Sequence, residues 1–139
     1  MKLSEAAATV IDLSITVQAY WDVELPKRHP DYPFVHPGED SGPPPPAEVQ
    51  LRAFLAGLPL ETVHKLLLIM NLGRGYFGTS DLASHYDQIR TWYAKPVLAI
   101  ALLIGTASLA DYLADGLAQL DRDRIDPDEL PVELVKSRR

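Results

Sequence analysis

The chain has 139 residues, of which 47% are apolar and 23% charged, with a formal net charge of −6 and no cysteine. This size and composition are typical of a single globular domain with a buried core and exclude an intrinsically disordered chain. The missing thiols exclude disulfides and thiolate metal sites, and the acidic balance without a basic segment argues against nucleic acid or an anionic membrane as a partner.

The first predicted element is an N-terminal helix over 1–25, in which apolar residues recur at helical spacing. Ser4 is placed to cap its first turn, and we expect Pro26 to end it because proline lacks the backbone N–H that a helix uses. The acidic residues Glu5 and Asp12 interrupt any signal-peptide pattern here, which favours a cytoplasmic location.

A proline-rich connector is predicted over 26–46, which holds eight of the twelve prolines, including the run 43–46. Such a segment favours extended, polyproline-type backbone. One interpretation is a linker strapped across the surface by Tyr32, Phe34 and Val35. The other is a ligand for an aromatic groove on another protein. The sequence leaves open whether the connector is docked or mobile.

A helical core domain is predicted over 47–120, beginning with an amphipathic helix at 47–57. The next helix, 60–72, is apolar at almost every position, so we expect it to be enclosed by its neighbours. Gly73 follows it as the residue that adopts a left-handed conformation beyond a helix end.

Three further helices complete the predicted core. The first runs to about residue 93 after a cap at Ser80, and the second occupies 96–104. The third opens at Ser108 with a capping-box-like spacing to Asp111. The uncharged stretch 96–110 is shorter than the roughly 20 residues of a membrane span, so we interpret it as a buried helix and the start of the next.

The charged C-terminal tail, 121–139, contains one predicted capped turn at 126–129, and we expect its last residues to be mobile. Strand–helix alternation and repeats are both missing from the sequence. The predicted fold is therefore all-α: a single compact domain of five to six short helices around a central apolar helix.

Arg74 is bracketed by Gly73 and Gly75, which we interpret as structural turn residues. A phosphate-binding glycine loop precedes a helix, whereas these glycines follow one. Two interpretations of Arg74 stay open. It either bonds the last helix carbonyls or an internal carboxylate, or it is exposed and forms a partner-binding patch with Tyr76 and Phe77.

Few residues in the sequence form patterns typical of metal binding, catalysis or DNA binding. Asp81 with His85, and Glu61 with His64, each supply half of a metal-ligand spacing, and no second half accompanies them. No nucleophile motif is present. The helix pair in 47–72 lacks the basic residues that DNA reading needs. We therefore predict no catalytic residues, no metal, no cofactor, no nucleic-acid partner and no membrane contact.

Two segments carry a resemblance to a known family. The stretch 66–75, ending Asn-Leu-Gly-Arg-Gly, resembles the first signature of a bacterial domain-of-unknown-function family, number 3775, and 109–118 is similar to its second. Residues 51–55 also fit, so the resemblance covers roughly 47–120. Family members usually carry an acidic residue soon after Arg-Gly, where this chain has Tyr76-Phe77. The resemblance implies the helical fold and no activity.

The leading functional hypothesis is a non-enzymatic protein that acts through protein–protein contact or self-association. Its proposed contact residues are Arg74, Tyr76 and Phe77. The alternative is a small-molecule-binding or hydrolytic protein that uses Arg74 with His64 or His85. The two differ in whether Arg74 shares a pocket with a histidine.

Overall fold

Six α-helices form the architecture in a computed structural model, which describes residues 1–34, 36–38 and 42–130. These residues contain no strand, which confirms the all-α, single-domain prediction. The helices are α1 (Leu3–Arg28), α2 (Pro46–Ala56), α3 (Leu60–Gly73), α4 (Leu82–Trp92), α5 (Pro96–Gly105) and α6 (Leu109–Arg122), with short 3₁₀ helices at Thr79–Asp81 and Pro127–Glu129.

The central helix is α3, as its composition predicts. Every side chain from Leu66 to Met70 is buried, and α1, α4, α5 and α6 all pack against it. A helix that is apolar on every side must be covered on every side, because each exposed leucine-sized side chain forgoes about 1.5–3 kcal/mol of burial. The other helices are therefore arranged around α3.

The helix pair with the most extensive contact is α3 with α6, which cross at two glycines. A Cβ on Gly73 would fall on the carbonyl oxygen of Tyr112, and a Cβ on Gly116 would fall on the carbonyl oxygen of Ile69. Each helix thus presents a glycine to the backbone of the other. The contact excludes any side chain at either position.

The end of α3 differs from the prediction in one residue. The left-handed residue is Gly75, with φ +81°, whereas Gly73 lies inside the helix. The N–H of Gly75 donates to the carbonyl of Leu72 (3.1 Å) and that of Tyr76 to the carbonyl of Asn71 (3.2 Å). This is a Schellman motif with Gly75 as its glycine. Gly73 serves the helix crossing instead.

The first helix continues through Pro26 to Arg28, so the prediction that Pro26 ends it, and the 1–25 boundary, are wrong. Proline this close to a helix end removes only one hydrogen bond. Arg28 holds the last turn: its Nη2 donates to the hydroxyl of Tyr20 (2.7 Å), its Nε lies 3.4 Å from Glu24 Oε2, and its guanidinium lies over the Trp21 ring.

The connector is anchored at its two ends. His29 and Pro45 are buried, and Gly42 lies against the guanidinium of Arg28. Tyr32 and Phe34 are 46% and 72% exposed, which does not favour the interpretation in which these rings strap the connector to the surface. The third predicted strap residue, Val35, lies outside the described residues, as does the predicted mobile end of the C-terminal tail.

Neither predicted serine cap forms a capping hydrogen bond. Ser80 lies within a 3₁₀ helix, and Asp81 is the N-cap residue of α4. Ser108 is the N-cap residue of α6, but its φ is +61° and its side chain makes no capping hydrogen bond. An N-cap side chain reaches the first turn from extended backbone, which Ser108 does not adopt. The first turn of α6 therefore lacks a side-chain cap.

The uncharged helix α5 is buried on one side only. Ala99, Ile100 and Leu103 face the core, whereas Val97 and Leu98 are exposed, so the prediction of a buried helix holds for half of it. No single described helix is long and apolar enough to cross a membrane. The pairs α2–α3 and α5–α6 reach that length and composition only together, and they are bent by 120° and 101°.

The two ends of the described chain meet at Ser4. It does not cap α1, whose N-cap residue is Lys2. Instead the backbone N–H of Ser4 donates to Asp128 Oδ1 (2.8 Å) and its hydroxyl donates to Asp128 Oδ2 (2.9 Å). Asp126 accepts from the N–H of Asp128 (2.9 Å), which confirms the predicted capped turn. A carboxylate from the 3₁₀ helix Pro127–Glu129 thus caps the first helix.

We predict that Gly73→Ala lowers the free energy of unfolding by about 2 kcal/mol or more, because its methyl group would force α3 away from α6. Urea denaturation of the purified chain measures the change. The matched control is Gly105→Ala, at a helical position where a Cβ meets nothing within 4 Å. Equal stability of the two variants would contradict the backbone contact.

A second prediction concerns the pKa of Asp128 and the stability of the fold at low pH. The backbone N–H of Ser4, bonded to Asp128, lowers the pKa of that carboxyl below its ordinary value. The stabilisation is therefore complete above the unfolded pKa, about 3.9, and is lost as the pH falls through the lower folded pKa. In an NMR titration the Asp128 carboxyl should titrate below the ordinary aspartate value of about 3.9. A pKa of Asp128 at or above that ordinary value would refute the cap.

Candidate functional site

Arg74 follows directly on α3 and stands among aromatic rings. Its guanidinium carbon lies 4.6 Å from the ring centre of Tyr76 and 5.4 Å from that of Tyr112 on α6. Both distances are within the range of cation–π attraction. We call these three residues the Arg74 cluster. The described part of the chain offers the Arg74 side chain no carboxylate and no hydrogen-bond acceptor.

The carbonyl end of α3 is capped without the guanidinium of Arg74. The backbone N–H groups of the Schellman motif take two carbonyls, and Gln119 of α6 donates from Nε2 to the carbonyl of Leu72 (3.1 Å). The interpretation in which Arg74 bonds helix carbonyls or an internal acid is therefore wrong. The guanidinium charge of Arg74 therefore interacts with the Tyr76 and Tyr112 rings and remains available to a binding partner.

Of the two predicted aromatic partners, one joins Arg74 and the other does not. Tyr76 is 58% exposed and carries the guanidinium, whereas Phe77 stacks on His85 of α4, with ring centres 3.9 Å apart and planes 12° apart. Phe77 is partly buried against the core. Its role is to anchor the segment after α3, which leaves Tyr76 at the surface.

The residue that sequence reasoning missed is Tyr112. It lies in α6, remote in sequence from Arg74, and the crossing at Gly73 brings the two together. Its position in the second family signature, 109–118, is the one signal in the sequence that could have paired it with the first.

His64 lies in a different place, a cavity of about 420 Å³ lined by Leu60, Glu61, His64, Tyr86 and Arg90. Its ring is 4% exposed, and Nε2 is 2.7 Å from the carbonyl of Tyr93, which accepts only, so Nε2 carries the proton. Arg74, the residue after α3, lies ten residues further along the chain, about 15 Å at 1.5 Å per residue. Arg74 does not line this cavity, so Arg74 and His64 do not share it.

The cavity beside His64 holds a phenol in its neutral form. The pKa of Tyr86 is raised, first by burial and next by the Glu61 carboxylate, while Arg90 lowers it by less. The hydroxyl therefore remains protonated at neutral pH. Residues 1–34, 36–38 and 42–130 contain no group of three or more histidine or acidic residues placed to hold a metal ion.

Comparison with known protein families gives a match. The profile of the family described as "Protein of unknown function (DUF3775)" matches residues 48–122, more than half of the chain. No curated protein and no solved structure matches significantly. The matched span runs from α2 to the end of α6 and includes both glycines of the helix crossing and the whole Arg74 cluster.

Proposed function

Because the chain belongs to the DUF3775 family, whose function is unknown, we propose a role from its site: a non-enzymatic module that binds an acidic protein segment through the Arg74 cluster. The observation that carries the proposal is an arginine within cation–π distance of two tyrosine rings and, among the described residues, without a carboxylate partner. Arginine and tyrosine are also the residue types that dominate the energy of protein interfaces.

The geometry of a guanidinium explains why the ligand is a carboxylate. Stacking on Tyr76 and Tyr112 engages the charge through the guanidinium carbon and the ring faces, and it consumes none of the N–H donors. Those donors form a planar fork that matches a carboxylate in a bidentate pair. The rings also hold the arginine in place, so less side-chain entropy is lost when a partner binds.

The exposure of Tyr76 favours a protein as the ligand. A ring that is 58% exposed beside an arginine forms a surface rather than a pocket, and neither cavity is lined by a residue of the Arg74 cluster. The chain is acidic, with a net charge of −6, so long-range attraction does not bring in an acidic partner. Recognition would depend on the local contact. The partner is another protein or a second copy of this chain.

We also propose a cytoplasmic location, with which the lack of cysteine is compatible.

We predict that Arg74→Ala weakens binding of the partner at least tenfold, on the order of 1.4 kcal/mol, since it removes a central interface arginine. The matched control is Arg52→Ala, which removes an exposed arginine of α2 and should leave affinity within about twofold. Quantitative affinity purification with the wild-type chain and the two variants identifies the proteins that each retains. Titration of the purified partner then gives the dissociation constants.

The variant Arg74→Lys sharpens the test. It keeps the charge but loses the planar fork, so we expect it to bind nearly as weakly as Arg74→Ala. Light scattering of the purified chain measures self-association. The proposal fails if Arg74→Ala retains the partner as well as Arg52→Ala does. A chain that is monomeric and retains no protein under gentle conditions would also contradict it.

A further inference from the structure

A second cavity, of about 460 Å³, lies between α1, α2 and the turn that joins α5 to α6. It shares no lining residue with the Arg74 cluster or with the cavity beside His64. Its apolar wall comes from Val17, Trp21, Leu51 and Ile104. This volume lies in the range of sites that enclose small organic molecules. We call it the α1–α6 cleft.

Ser14, which lines the cleft, is a buried hydroxyl without a partner. The residue is 8% exposed, and its Oγ makes no hydrogen bond to the part of the chain that the structure describes. A serine within a helix ordinarily bonds the carbonyl four residues earlier, and Ser14 does not. Buried polar atoms are almost always hydrogen-bonded, so this one marks a place where an acceptor is missing.

The N-terminus of α6 supplies further donors to the same cleft. Residues 104–111 line it, and the first-turn N–H groups of Leu109, Ala110 and Asp111 have no acceptor within the helix. Ser108, which precedes them with φ +61°, does not cap them. A non-glycine residue held in the left-handed region is strained, and such strain is common at binding sites. Four donors thus border one cleft.

The charges of the cleft restrict what can accept from these donors. Asp22, Glu48 and Asp111 line it, and no basic residue of the described part of the chain does. The carboxylates repel an anionic ligand. A cation is attracted by these carboxylates, but it cannot accept from the first-turn N–H groups of α6 and would leave them unsatisfied. An uncharged carbonyl oxygen accepts hydrogen bonds from the donors and is not repelled by the carboxylates.

We propose that the α1–α6 cleft binds an uncharged acyl compound, whose amide or ester carbonyl accepts from Ser14 and the first turn of α6 while its hydrocarbon chain lies on the apolar wall. The site lies outside the Arg74 cluster and stands or falls independently of the proposed partner binding.

Three eight-carbon probes test the ligand class on the full chain: octanamide, octanoate and octylammonium. Calorimetry and amide NMR should show octanamide binding at least tenfold more tightly than the two charged probes. The shifted resonances should be those of Ser14 and 108–111. Equal or tighter binding of octylammonium would show that the acidic rim governs the site and overturn the proposal, as would no binding of octanamide or shifts elsewhere.

A substitution at Ser14 has effects of opposite sign on stability and on binding. Ser14→Ala removes the unsatisfied hydroxyl, so the free chain should become more stable to heat while octanamide binds about five- to tenfold more weakly. The matched control is Ser84→Ala, whose hydroxyl donates to the carbonyl of Asp81 (3.1 Å) outside the cleft. It should not raise stability or change the affinity. Unchanged octanamide affinity in Ser14→Ala would remove the serine from the site.

A filling substitution tests the location without touching the donors. Ala19→Trp places a large ring into the cleft from α1, and the control Ala8→Trp places the same ring at an exposed position of α1 outside it. We expect Ala19→Trp to abolish octanamide binding and Ala8→Trp to leave it unchanged. Wild-type binding by Ala19→Trp would show that the ligand lies elsewhere.

Discussion

The backbone contact between α3 and α6 is the constraint on which the rest of the structure depends. Since neither Gly73 nor Gly116 has a side chain, the two helices approach until carbonyls and Cα atoms touch. That approach places the Gln119 amide on the carbonyl of Leu72, near the end of α3, and Tyr112 beside Arg74. Because Gln119 caps the carbonyl of Leu72, the Arg74 side chain does not cap α3 and instead contacts the Tyr76 and Tyr112 rings. The core packing and the candidate site are therefore two results of one contact.

The sequence predicts the order and number of the helices because apolar periodicity is a local signal that the core then satisfies. It predicts their ends less well. Gly73 and Gly75 look equivalent in sequence, yet one is needed for a long-range approach and the other for a positive φ. Pro26 reads as a stop, but the contacts of Arg28 with Tyr20 and Glu24 outweigh one lost hydrogen bond.

For the two sites as well, the sequence predicts contacts between neighbouring residues but not contacts between separate helices. Arg74 and Tyr76 are close in sequence and were predicted together, whereas Phe77 turns to His85 and Tyr112 comes from another helix. The α1–α6 cleft had no signal at all in the sequence. A serine in a helix looks ordinary until its surroundings lack an acceptor. A serine before a helix looks like a cap until its φ proves positive.

The bond between Ser4 and Asp128 joins positions 124 residues apart. During synthesis on the ribosome the chain emerges from its N-terminus, and domains fold as their segments become available. The first turn of α1 therefore lacks its contacts with Asp128 until residue 128 has been made. Contacts that close such long loops form late and slowly. A nascent chain that stops short of Asp128 consequently has α1 without this cap, although the local contact of Lys2 with Glu5 can already form.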